Sequence, residues 1–484
     1  MVNEFDINSY TIQISDTISQ AFKKINSNRG KNIFVVDNEV FCGAVSDGDL
    51  RRAILNGATL QDKVEVATNF NAVRANLEDS YADVNSTFMD EFDYLPILDR
   101  YKKIIRIIKK GEKIKIPLSE PNLSNRETEL ILDTLFTNMI SSRGTYVEKF
   151  EKIFAEYLGI NRNRVVAVSN GTLALYLALV TLGIKEGDEV IVPDLTFGAT
   201  ANAVIQAGAV PILVDINIQS WNIDIQLIEK AITPKTKAII PVHLYGNPVD
   251  LESLNKLAKK FGLIVIEDAA EALGSYFQNS HVGITTEAST FSFFGNKTIT
   301  TGEGGMVVFK DQESAEIARK IKDHGMSRNV RYFHDSWGSN FRLTNMQAAI
   351  GCAQMERIKT FVDKKLHINF TYRSTLEPLG CIFPESPELG INSHWLTAFL
   401  LPDRFLVSEC LHFLAENGIE ARSFFYPLHA QPAFSIYTAK LSNNAVSQSI
   451  FERGLCLPSG TSLSNSDLHY VCSKMSEFLK IGRV

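Results

Sequence analysis

The chain has 484 residues, which at about 150 residues per domain suggests two to four domains and excludes a peptide hormone or a lone binding module. Apolar residues make up 45% and charged residues 21% of the chain, close to globular averages, which excludes intrinsic disorder and a membrane-embedded chain. The formal charge of -6 offers no broad attraction for nucleic acid or anionic lipid, so an anionic ligand must be held locally.

The cysteines and the N-terminus bear on metal binding and on the compartment. The six cysteines are scattered without a Cys-x-x-Cys pair, which argues against a zinc site and against a disulfide framework. The start of the chain lacks the basic stretch and apolar run of an export signal, and about 18 consecutive apolar residues occur nowhere. We therefore expect no metal site, no membrane contact and a cytoplasmic location.

The N-terminal part reads as a small module, residues 1–112. The periodicity predicts a helix over 17–25 and strands over 32–36 and 41–45, and the second strand runs into a turn that contains Ser46 and Asp49. A weaker second half, 68–110, repeats a helix and a strand at 94–99 and continues with 104–110. The lysine-rich stretch 101–117 ends in a Pro-Leu-Ser-Glu-Pro run, which places the domain boundary near residue 112.

This pattern resembles the first half of a CBS-domain pair, a family of small modules that often bind adenine or guanine nucleotides. The resemblance implies that Ser46 contacts phosphate and that Asp49 holds ribose hydroxyls. The second half has no Ser-x-x-Asp turn, so it does not predict a second nucleotide site. Alternatively, Ser46 and Asp49 only cap a helix, and the module has a structural or dimerising role. The residues leave both interpretations open.

Residues 113–360 alternate short β-branched runs with helical periodicity and predict a large α/β domain. Strand, helix and strand at this spacing indicate a mostly parallel sheet with helices on both faces, whose ligands bind beyond the carboxyl ends of the strands. Residues 361–484 mix strands and helices, such as 397–401 and 407–417, and predict a smaller C-terminal domain. The strands of the large domain are predicted at 165–168, 189–192, 210–214, 237–242 and 263–267, and its helices at 173–182, 198–207, 225–232 and 250–261.

The residues that follow these strands suit a pyridoxal phosphate site. Gly171 and Thr172 open a helix directly after a strand, where backbone N–H groups can hold a phosphate. Asp268 follows a buried strand and needs a cationic partner, which a protonated pyridine nitrogen supplies. Lys297 lies in a glycine-rich turn, where it can form a Schiff base and move a proton. Taken singly, these features also read as a tight turn, a helix cap and a solvent-facing lysine; together they favour the cofactor.

Several separated motifs also occur in the order found in one enzyme family. They are Pro241-Val-His-Leu-Tyr-Gly246, Glu267-Asp-Ala-Ala-Glu-Ala272, the run from Phe291 to Gly305, and Gly338-Ser-Asn-Phe-Arg-Leu-Thr-Asn345. In these motifs residues 115–484 resemble the DegT/StrS-type nucleotide-sugar aminotransferases, which are pyridoxal 5'-phosphate enzymes of fold type I and homodimers with two shared active sites. Within that family the motifs are most similar to those of members that make GDP-perosamine.

The resemblance implies a role for each site residue. Dehydratase relatives carry His in place of the Schiff-base lysine, so the lysine of this chain favours transamination. By this resemblance Lys297 forms the Schiff base and transfers the proton, Asp268 pairs with the pyridine nitrogen, and Glu271 lies near the ring hydroxyl. Phe197 stacks on the cofactor ring. The cofactor phosphate is held by Gly171, Thr172 and Ser292, and by Asn340 of the neighbouring subunit.

The implied reaction moves the amino group of L-glutamate to a nucleotide-linked 4-keto-6-deoxy sugar, first of all GDP-4-dehydro-6-deoxy-D-mannose, for surface-polysaccharide synthesis. Further side chains expected near the sugar nucleotide or the glutamate carboxylates are His243, Arg342, Arg422 and His429. Two alternatives stay open: a UDP- or dTDP-linked keto sugar aminated at carbon 3 or 4, and a nucleotide-regulated protein whose working part is the CBS-like module. A DNA-binding regulator is disfavoured, because the N-terminal region shows neither a helix-turn-helix pattern nor a basic face.

Overall fold

The computed structural model describes residues 7–28, 32–77, 79–80, 84, 93–109, 115–327, 329–330, 332–438 and 446–481. The chain divides into two compact units, Met1–Ile116 with Ser464–Tyr470, and Pro117–Leu463 with Val471–Val484. Residue 112, near which the sequence predicts a boundary, lies outside the described residues. In the part of the chain that the structure describes, no helix is both long enough and apolar enough to cross a membrane.

The N-terminal unit contains two small sheets. Its elements are α1 (Ile7–Tyr10), β1 (Thr11–Gln13), α2 (Ile18–Asn28), β2 (Asn32–Asp37), β3 (Val40–Ser46), α3 (Asp47–Leu55), a 3₁₀ helix (Val64–Ala67), β4 (Ala75–Asn76), β5 (Tyr94–Leu98) and β6 (Ile104–Lys109). The sheets have the orders β1-β2-β3 and β4-β5-β6. The helix α2 buries Ile18, Ala21 and Ile25, whose spacing of three and four residues places them on one face.

The rest of the chain alternates helices and strands. The strands are β7 (Val165–Val168), β8 (Glu189–Pro193), β9 (Val210–Val214), β10 (Thr236–Ile239), β11 (Ile264–Asp268), β12 (Tyr276–Phe277), β13 (Ser280–His281), β14 (Ala288–Ser292), β15 (Gly305–Phe309), β16 (Gly390–Ile391), β17 (Thr397–Leu400), β18 (Arg422–Ser423) and β19 (Gly454–Leu457). The helices are α4 (Asn125–Phe136), α5 (Thr145–Leu158), α6 (Gly171–Thr181), α7 (Ala199–Gln206), α8 (Ile225–Ala231), α9 (Leu251–Phe261), α10 (Gln312–Ile321), α11 (Asn345–Met355), α12 (Ile358–Leu376), α13 (Val407–Glu416), α14 (Val446–Arg453) and α15 (Asn465–Ile481), with 3₁₀ helices at Arg162–Arg164, Leu244–Gly246, Glu377–Leu379, Leu428–Ala430 and Pro432–Tyr437.

Seven strands form the central sheet in the order β7-β15-β14-β11-β10-β8-β9. The strand β15 runs antiparallel to β7 and β14, and the other neighbours in this sheet are parallel, which confirms the mostly parallel sheet predicted from the sequence. Successive residues of a strand point to opposite faces, so Val165 and Ala167 join one hydrophobic core while Val166 and Val168 join the other. The sheet is therefore covered on both faces.

One edge of this sheet collects the residues singled out in the sequence. Asp268 at the end of β11 pairs with Thr290 of β14, so the loops after these two parallel strands leave from the same edge. Ser292 of β14 and Val168 of β7 both lie opposite Gly305, which brings the loop after β7 to that edge as well. The carboxyl ends of three strands thus meet there, as expected for a ligand site in such a sheet.

The C-terminal part adds a second, smaller sheet. Its antiparallel strands have the order β17-β19-β18. The elements predicted at 397–401 and 407–417 are observed as β17 and α13. The predicted division at residue 360 falls within the 19-residue helix α12, and the bounds of the two predicted domains stay a prediction.

Candidate active site

Lys297 lies in the turn that follows β14, and its amine is nearly buried. The side chain is 13% exposed, and Nζ lies 3.8 Å from Oε1 of Glu271. Burial lowers the pKa of Lys297, while the nearby carboxylates of Glu271 and Asp268 act to raise it. The neutral, nucleophilic form of the amine is therefore more populated here than for a lysine in water.

Asp268 is the last residue of β11, and its buried carboxylate contacts a pair of threonine hydroxyl groups. Thr200 Oγ1 donates a hydrogen bond of 2.9 Å to Asp268 Oδ2 and lies 3.1 Å from the hydroxyl of Thr196. The N–H of Ala270 donates to Asp268 Oδ1 at 3.2 Å. Burial raises the pKa of Asp268 despite these hydrogen bonds. A cation placed against the carboxylate would therefore stabilise its ionised form.

Glu271 is fixed beside Lys297 by a strained turn. Tyr245 has a positive φ of 52° and donates its backbone N–H to Glu271 Oε2 at 2.7 Å. A non-glycine residue in this region costs roughly 1–3 kcal/mol, and such residues cluster at functional sites. Burial raises the pKa of Glu271, and the positive charge of Lys297 acts against that shift. The strained backbone at Tyr245 thus directs an N–H group that fixes the Glu271 carboxylate next to the lysine.

The start of α6 and the end of β14 together form a cradle for an anion. Asn170 caps the helix by accepting a hydrogen bond of 2.9 Å from the N–H of Leu173. The N–H groups of Gly171 and Thr172 have no acceptor within the helix, because the first turn lacks preceding carbonyls. A β-carbon on Gly171 would lie 2.9 Å from Cβ of Ser292, so glycine permits the close approach of the helix start to the serine hydroxyl. This arrangement suits a phosphate group.

We expect Gly171→Ala to weaken the binding of pyridoxal phosphate about tenfold or more without unfolding the protein. The new methyl group would overlap Ser292, and overlap of this kind costs about 1–3 kcal/mol, where 1.4 kcal/mol is a factor of ten. Titration of the cofactor-free protein, followed by absorbance, gives the dissociation constant. Gly295→Ala is a matched control, because its methyl group would enter open space in a neighbouring turn. Equal affinity in all three proteins would contradict the cradle.

Phe197 follows β8 and keeps an exposed ring. The side chain is 61% exposed, and its ring centroid lies 5.8 Å from that of Phe425. Phe425 in turn stacks on Tyr245, with centroids 5.6 Å apart and ring planes 12° apart, which connects Phe197 to the turn that holds Glu271. The face of Phe197 is therefore open to stacking on a ligand ring, the role that the resemblance implies.

Arg422 of β18 brings a second cation to the same cluster. Its Cζ lies 5.3 Å from the ring centroid of Phe425 and 5.8 Å from that of Trp395. Nη2 is buried and has no hydrogen-bond partner among the described atoms. Burial is the main cause of the raised pKa of Glu271 and of the lowered pKa of Lys297, and the positive charge of Arg422 opposes the first shift and adds to the second. An unpaired buried guanidinium nitrogen is costly, so this position suits a carboxylate or phosphate of a ligand.

His243 is fully buried, and the protein itself uses both of its ring nitrogens. Nε2 lies 2.9 Å from Oε2 of Glu267, and Nδ1 accepts a hydrogen bond of 3.0 Å from the N–H of Val249. This geometry does not support the direct substrate contact predicted for His243.

His429 is held by a buried carboxylate. Its Nδ1 lies 2.6 Å from Oδ2 of Asp194, and its backbone N–H donates to Asp194 Oδ1 at 2.9 Å. Asp194 is fully buried and also accepts a hydrogen bond from Ser447. The carboxylate fixes the proton on Nδ1, and the side chain keeps 25% of its surface exposed. Its contact with substrate stays a prediction.

Asn340 and Arg342 contact each other, and the carbonyl of Phe341 between them accepts a hydrogen bond of 2.9 Å from the N–H of Ser169. Arg342 donates a hydrogen bond of 3.0 Å from Nε to Asn340 Oδ1 and forms an ion pair with Asp323. Within the described residues neither side chain makes a polar contact with Lys297 or Asp268. The predicted reach of Asn340 across a subunit boundary stays a prediction.

Sequence reasoning missed Thr200 and Trp395. Thr200 lies in the first turn of α7, and its hydroxyl contact with Thr196, which precedes the helix, follows from no spacing rule. The ring centroid of Trp395 lies 3.8 Å from Nζ of Lys297. No spacing rule signals that contact, because the two residues are far apart along the chain.

In the N-terminal unit, Ser46 and Asp49 contact each other. Ser46 donates to Asp49 Oδ2 from its N–H at 2.8 Å and from Oγ at 2.6 Å, and the N–H of Asp49 donates to Ser46 Oγ at 3.1 Å. These reciprocal bonds form a capping box on α3, and Arg52 pairs with Asp49 as well. The contacts support the capping interpretation, and nucleotide binding by the pair stays a prediction.

The residues at the sheet edge fit pyridoxal phosphate. The cradle at Gly171 and Ser292 matches an anionic phosphate, and the buried Asp268 lacks only a strong cationic partner such as a protonated pyridine nitrogen. Lys297 is a buried amine with a lowered pKa, and Arg422 offers an unpaired donor to a ligand anion. Each chemical demand of the cofactor therefore has a residue to meet it.

Comparison with known proteins gives the same assignment. The DegT/DnrJ/EryC1/StrS aminotransferase family matches residues 121–476, and the CBS domain matches residues 4–56. The GDP-perosamine synthase of Escherichia coli O157:H7 is 43% identical over 363 residues, which cover 75% of this chain and 98% of that protein. The UDP-N-acetyl-3-dehydro-alpha-D-glucosamine 3-aminotransferase of Acidithiobacillus ferrooxidans is 40% identical over 296 residues, 60% of this chain and 78% of that protein. The X-ray structure of the aminotransferase from Psychrobacter cryohalolentis is 27% identical and covers 76% of this chain and 100% of its own, with a TM-score of 0.71.

Both resemblances read from the sequence are confirmed by these matches. The CBS match ends at residue 56, in the half that carries the Ser-x-x-Asp turn. The aminotransferase match spans the whole central sheet and the smaller C-terminal sheet, and the enzymes it covers use pyridoxal 5'-phosphate in an α/β fold. The chain belongs to the DegT/DnrJ/EryC1/StrS aminotransferase family and carries a CBS domain at its N-terminus.

Proposed function

We propose that this aminotransferase moves the amino group of L-glutamate to GDP-4-dehydro-6-deoxy-D-mannose and so makes GDP-perosamine for surface polysaccharide such as O-antigen. The observation that carries the proposal is Lys297, a nearly buried lysine beside Asp268 and Glu271 at the sheet edge. The choice of sugar is supported by 43% identity to the Escherichia coli GDP-perosamine synthase across 98% of its length.

Pyridoxal phosphate, when bound, supplies the electron sink that makes a proton on the substrate carbon removable. Gly171, Thr172 and Ser292 would hold its phosphate at the start of α6. Asp268 would keep the pyridine nitrogen protonated, and Glu271 lies where it can meet the ring hydroxyl. Phe197 would cover one face of the ring. These residues fix the position of the reacting carbon without any contribution from the net charge of the protein.

Lys297 is the base that moves the proton. Burial lowers its pKa, so a larger fraction of the amine is neutral near physiological pH and able to accept a proton. Glu271 at 3.8 Å stabilises the ammonium that results, which allows the same proton to be returned to the substrate. The same group thus acts as base and then as acid in each half of the transfer.

Arg422 is the side chain that we assign to an anionic group of the substrates. Its unpaired, buried Nη2 is positioned to donate to a carboxylate of glutamate or to a phosphate of the sugar nucleotide. Lys297 and Arg422 act on the same buried carboxylate, Glu271, so a substrate held by the guanidinium would lie close to the lysine. His429, oriented by Asp194, is a further candidate for the sugar nucleotide.

We propose that the active enzyme is a homodimer in which both subunits contribute residues to each active site. Tyr332, Phe333 and Trp337 precede Asn340 and are exposed in the single chain, and a patch of this kind marks a protein interface. A second copy that covers the patch would carry Asn340 towards the phosphate cradle of its neighbour.

Mixing two inactive variants tests this arrangement. Lys297→Ala and Asn340→Asp homodimers are each expected to be inactive, whereas subunits exchanged between them are expected to regain part of the activity, because one site of each mixed dimer keeps both native residues. Lack of recovery, although native mass spectrometry shows mixed dimers, would contradict a shared site.

For the CBS-like module we favour a structural role, including further association of dimers, and binding of a purine nucleotide at Ser46 and Asp49 is the alternative prediction. The capping box occupies the side chains of Ser46 and Asp49.

The six cysteines, all within the described residues, are free, which suits a reducing cytoplasm.

A panel of keto-sugar nucleotides tests the proposed reaction. The purified protein, loaded with pyridoxal phosphate, is incubated with glutamate and with GDP-, UDP- or dTDP-linked keto sugars. We expect the GDP-linked sugar to be converted with the highest kcat/KM, and the product mass to show a carbonyl oxygen exchanged for an amino group. NMR then identifies the aminated carbon as carbon 4. The proposed substrate is wrong if the enzyme prefers a UDP- or dTDP-linked sugar or aminates carbon 3. Either result would still agree with amino transfer to a keto sugar.

A further inference from the structure

Trp395 is held rigidly at three points, although no role follows for it from the sequence. Its indole N–H donates a hydrogen bond of 2.8 Å to the carbonyl of Asn296, the residue directly before Lys297. Its own carbonyl accepts a hydrogen bond of 2.8 Å from Nζ of Lys365. Its ring stacks on Tyr245, with centroids 6.2 Å apart and planes 16° apart. The ring is therefore fixed with respect to the turn that carries Lys297.

Lys365 is an unusual anchor for a tryptophan carbonyl. Its side chain is buried in α12, with 2% of the residue exposed, and Nζ also donates to the carbonyl of Ser459 at 3.0 Å. Burial, together with the charge of Lys297, lowers the pKa of Lys365 to about 7. In the described part of the chain no carboxylate lies within ion-pair distance of it. Lys365 thus ties Trp395 and Ser459 to α12 through backbone carbonyls alone.

The fixed indole faces the amine of Lys297. Nζ lies 3.8 Å from the ring centroid, well within the range of a cation–π contact, and tryptophan gives the strongest contact of this kind. The indole ring attracts an ammonium group without accepting its proton, unlike the carboxylate of Glu271, which lies 3.8 Å from the same amine. A lysine that must be released and then give up its proton is better held by such a surface than by a closer ion pair.

We propose that the face of Trp395 is the resting place of the Lys297 amine whenever that amine is not bound to the cofactor. This inference rests on the proposed role of Lys297 and deepens it. Trp395 keeps the amine inside the site, favours its protonated form against the effect of burial, and leaves the proton available for transfer. Lys365 positions the ring by holding the backbone of Trp395.

The charge of Lys297 in the cofactor-free protein is the quantity to measure. Glu271 and Asp268 favour the charged amine, whereas burial and Arg422 oppose it, as does Lys365. Trp395→Leu leaves these groups in place and removes the ring. We expect the apparent proton affinity of Lys297 to fall roughly threefold to thirtyfold, the range for a partly to fully buried cation–π contact. Trp395→Phe keeps a smaller ring and is expected to lie between Trp395→Leu and the wild type.

Competitive acetylation over a range of pH, followed by peptide mass spectrometry, reports the charge of Lys297 directly. Phe370→Leu is the matched control, since that aromatic ring is exposed on the surface, and circular dichroism confirms the fold of each variant. Identical titration curves for the wild type and two folded Trp395 variants would overturn the inference. The same acetylation with pyridoxal phosphate bound tests the proposed function, because a Schiff base protects Lys297 from acetylation. If the bound cofactor does not protect Lys297 in the wild type, the proposed function is wrong, and the comparison of the cofactor-free Trp395 variants is unaffected.

Discussion

Lys297→Ala is expected to lower the rate of amino transfer from glutamate to the GDP-linked keto sugar by about 10³-fold or more. The substitution removes the group that binds the cofactor covalently and also the base that moves the proton. The amine is nearly buried, and the side chain that lies 3.8 Å from it is the carboxylate of Glu271, which cannot form a Schiff base. Product formation measured by mass spectrometry gives the rate of each variant.

Lys310→Ala is the control for the loss of a lysine. Lys310 is exposed at the surface, where it pairs with Glu287, and its replacement is expected to leave the rate unchanged. Residual activity within tenfold of the wild type in a folded Lys297→Ala protein would show that another group carries the chemistry.

Asp268→Asn is expected to reduce kcat on the order of 10²- to 10³-fold by removing the charge that pairs with the pyridine nitrogen. The cofactor-free variant should be at least as stable as the cofactor-free wild type, because burial raises the pKa of Asp268 and makes its ionised form unfavourable without a cation. Pyridoxal phosphate should therefore raise the melting temperature less in the variant than in the wild type. Calorimetry of both proteins, with and without the cofactor, measures this difference.

Asp311→Asn controls for a general effect of losing an aspartate. Asp311 caps α10 by accepting a hydrogen bond from the N–H of Ser314, and asparagine caps a helix about as well as aspartate, so this variant is expected to keep its activity and nearly all of its stability. An Asp268→Asn enzyme with wild-type kcat, or one stabilised by the cofactor as strongly as the wild type, would contradict a pairing between Asp268 and the pyridine nitrogen.

The residues at the sheet edge could be predicted because their signals are local. Asp268 ends an apolar strand and Lys297 lies in the turn after another strand, and a parallel sheet brings the ends of its strands to one edge. Gly171 follows a strand and opens a helix, a pattern with one simple anion-binding interpretation. The structure places all three at that edge, with the β14 residue Ser292 against the helix start.

The remaining contacts depend on packing that no local pattern encodes. His243 lies in a motif shared with the family, yet its ring bonds to Glu267 and to the N–H of Val249, a network visible only in three dimensions. Trp395 reaches Lys297 because α12 and the turn at Asn296 fix its backbone and its indole. Sequence periodicity describes one element at a time, and both arrangements need several elements at once.

Borohydride reduction of the holoenzyme identifies the lysine that carries the cofactor. Reduction fixes the covalent link between the cofactor and its lysine, and peptide mass mapping then identifies that lysine. We expect a phosphopyridoxyl group on Lys297 alone, with the buried Lys365 unmodified. A phosphopyridoxyl group on Lys365 or on any other lysine, with Lys297 unmodified, would contradict this expectation.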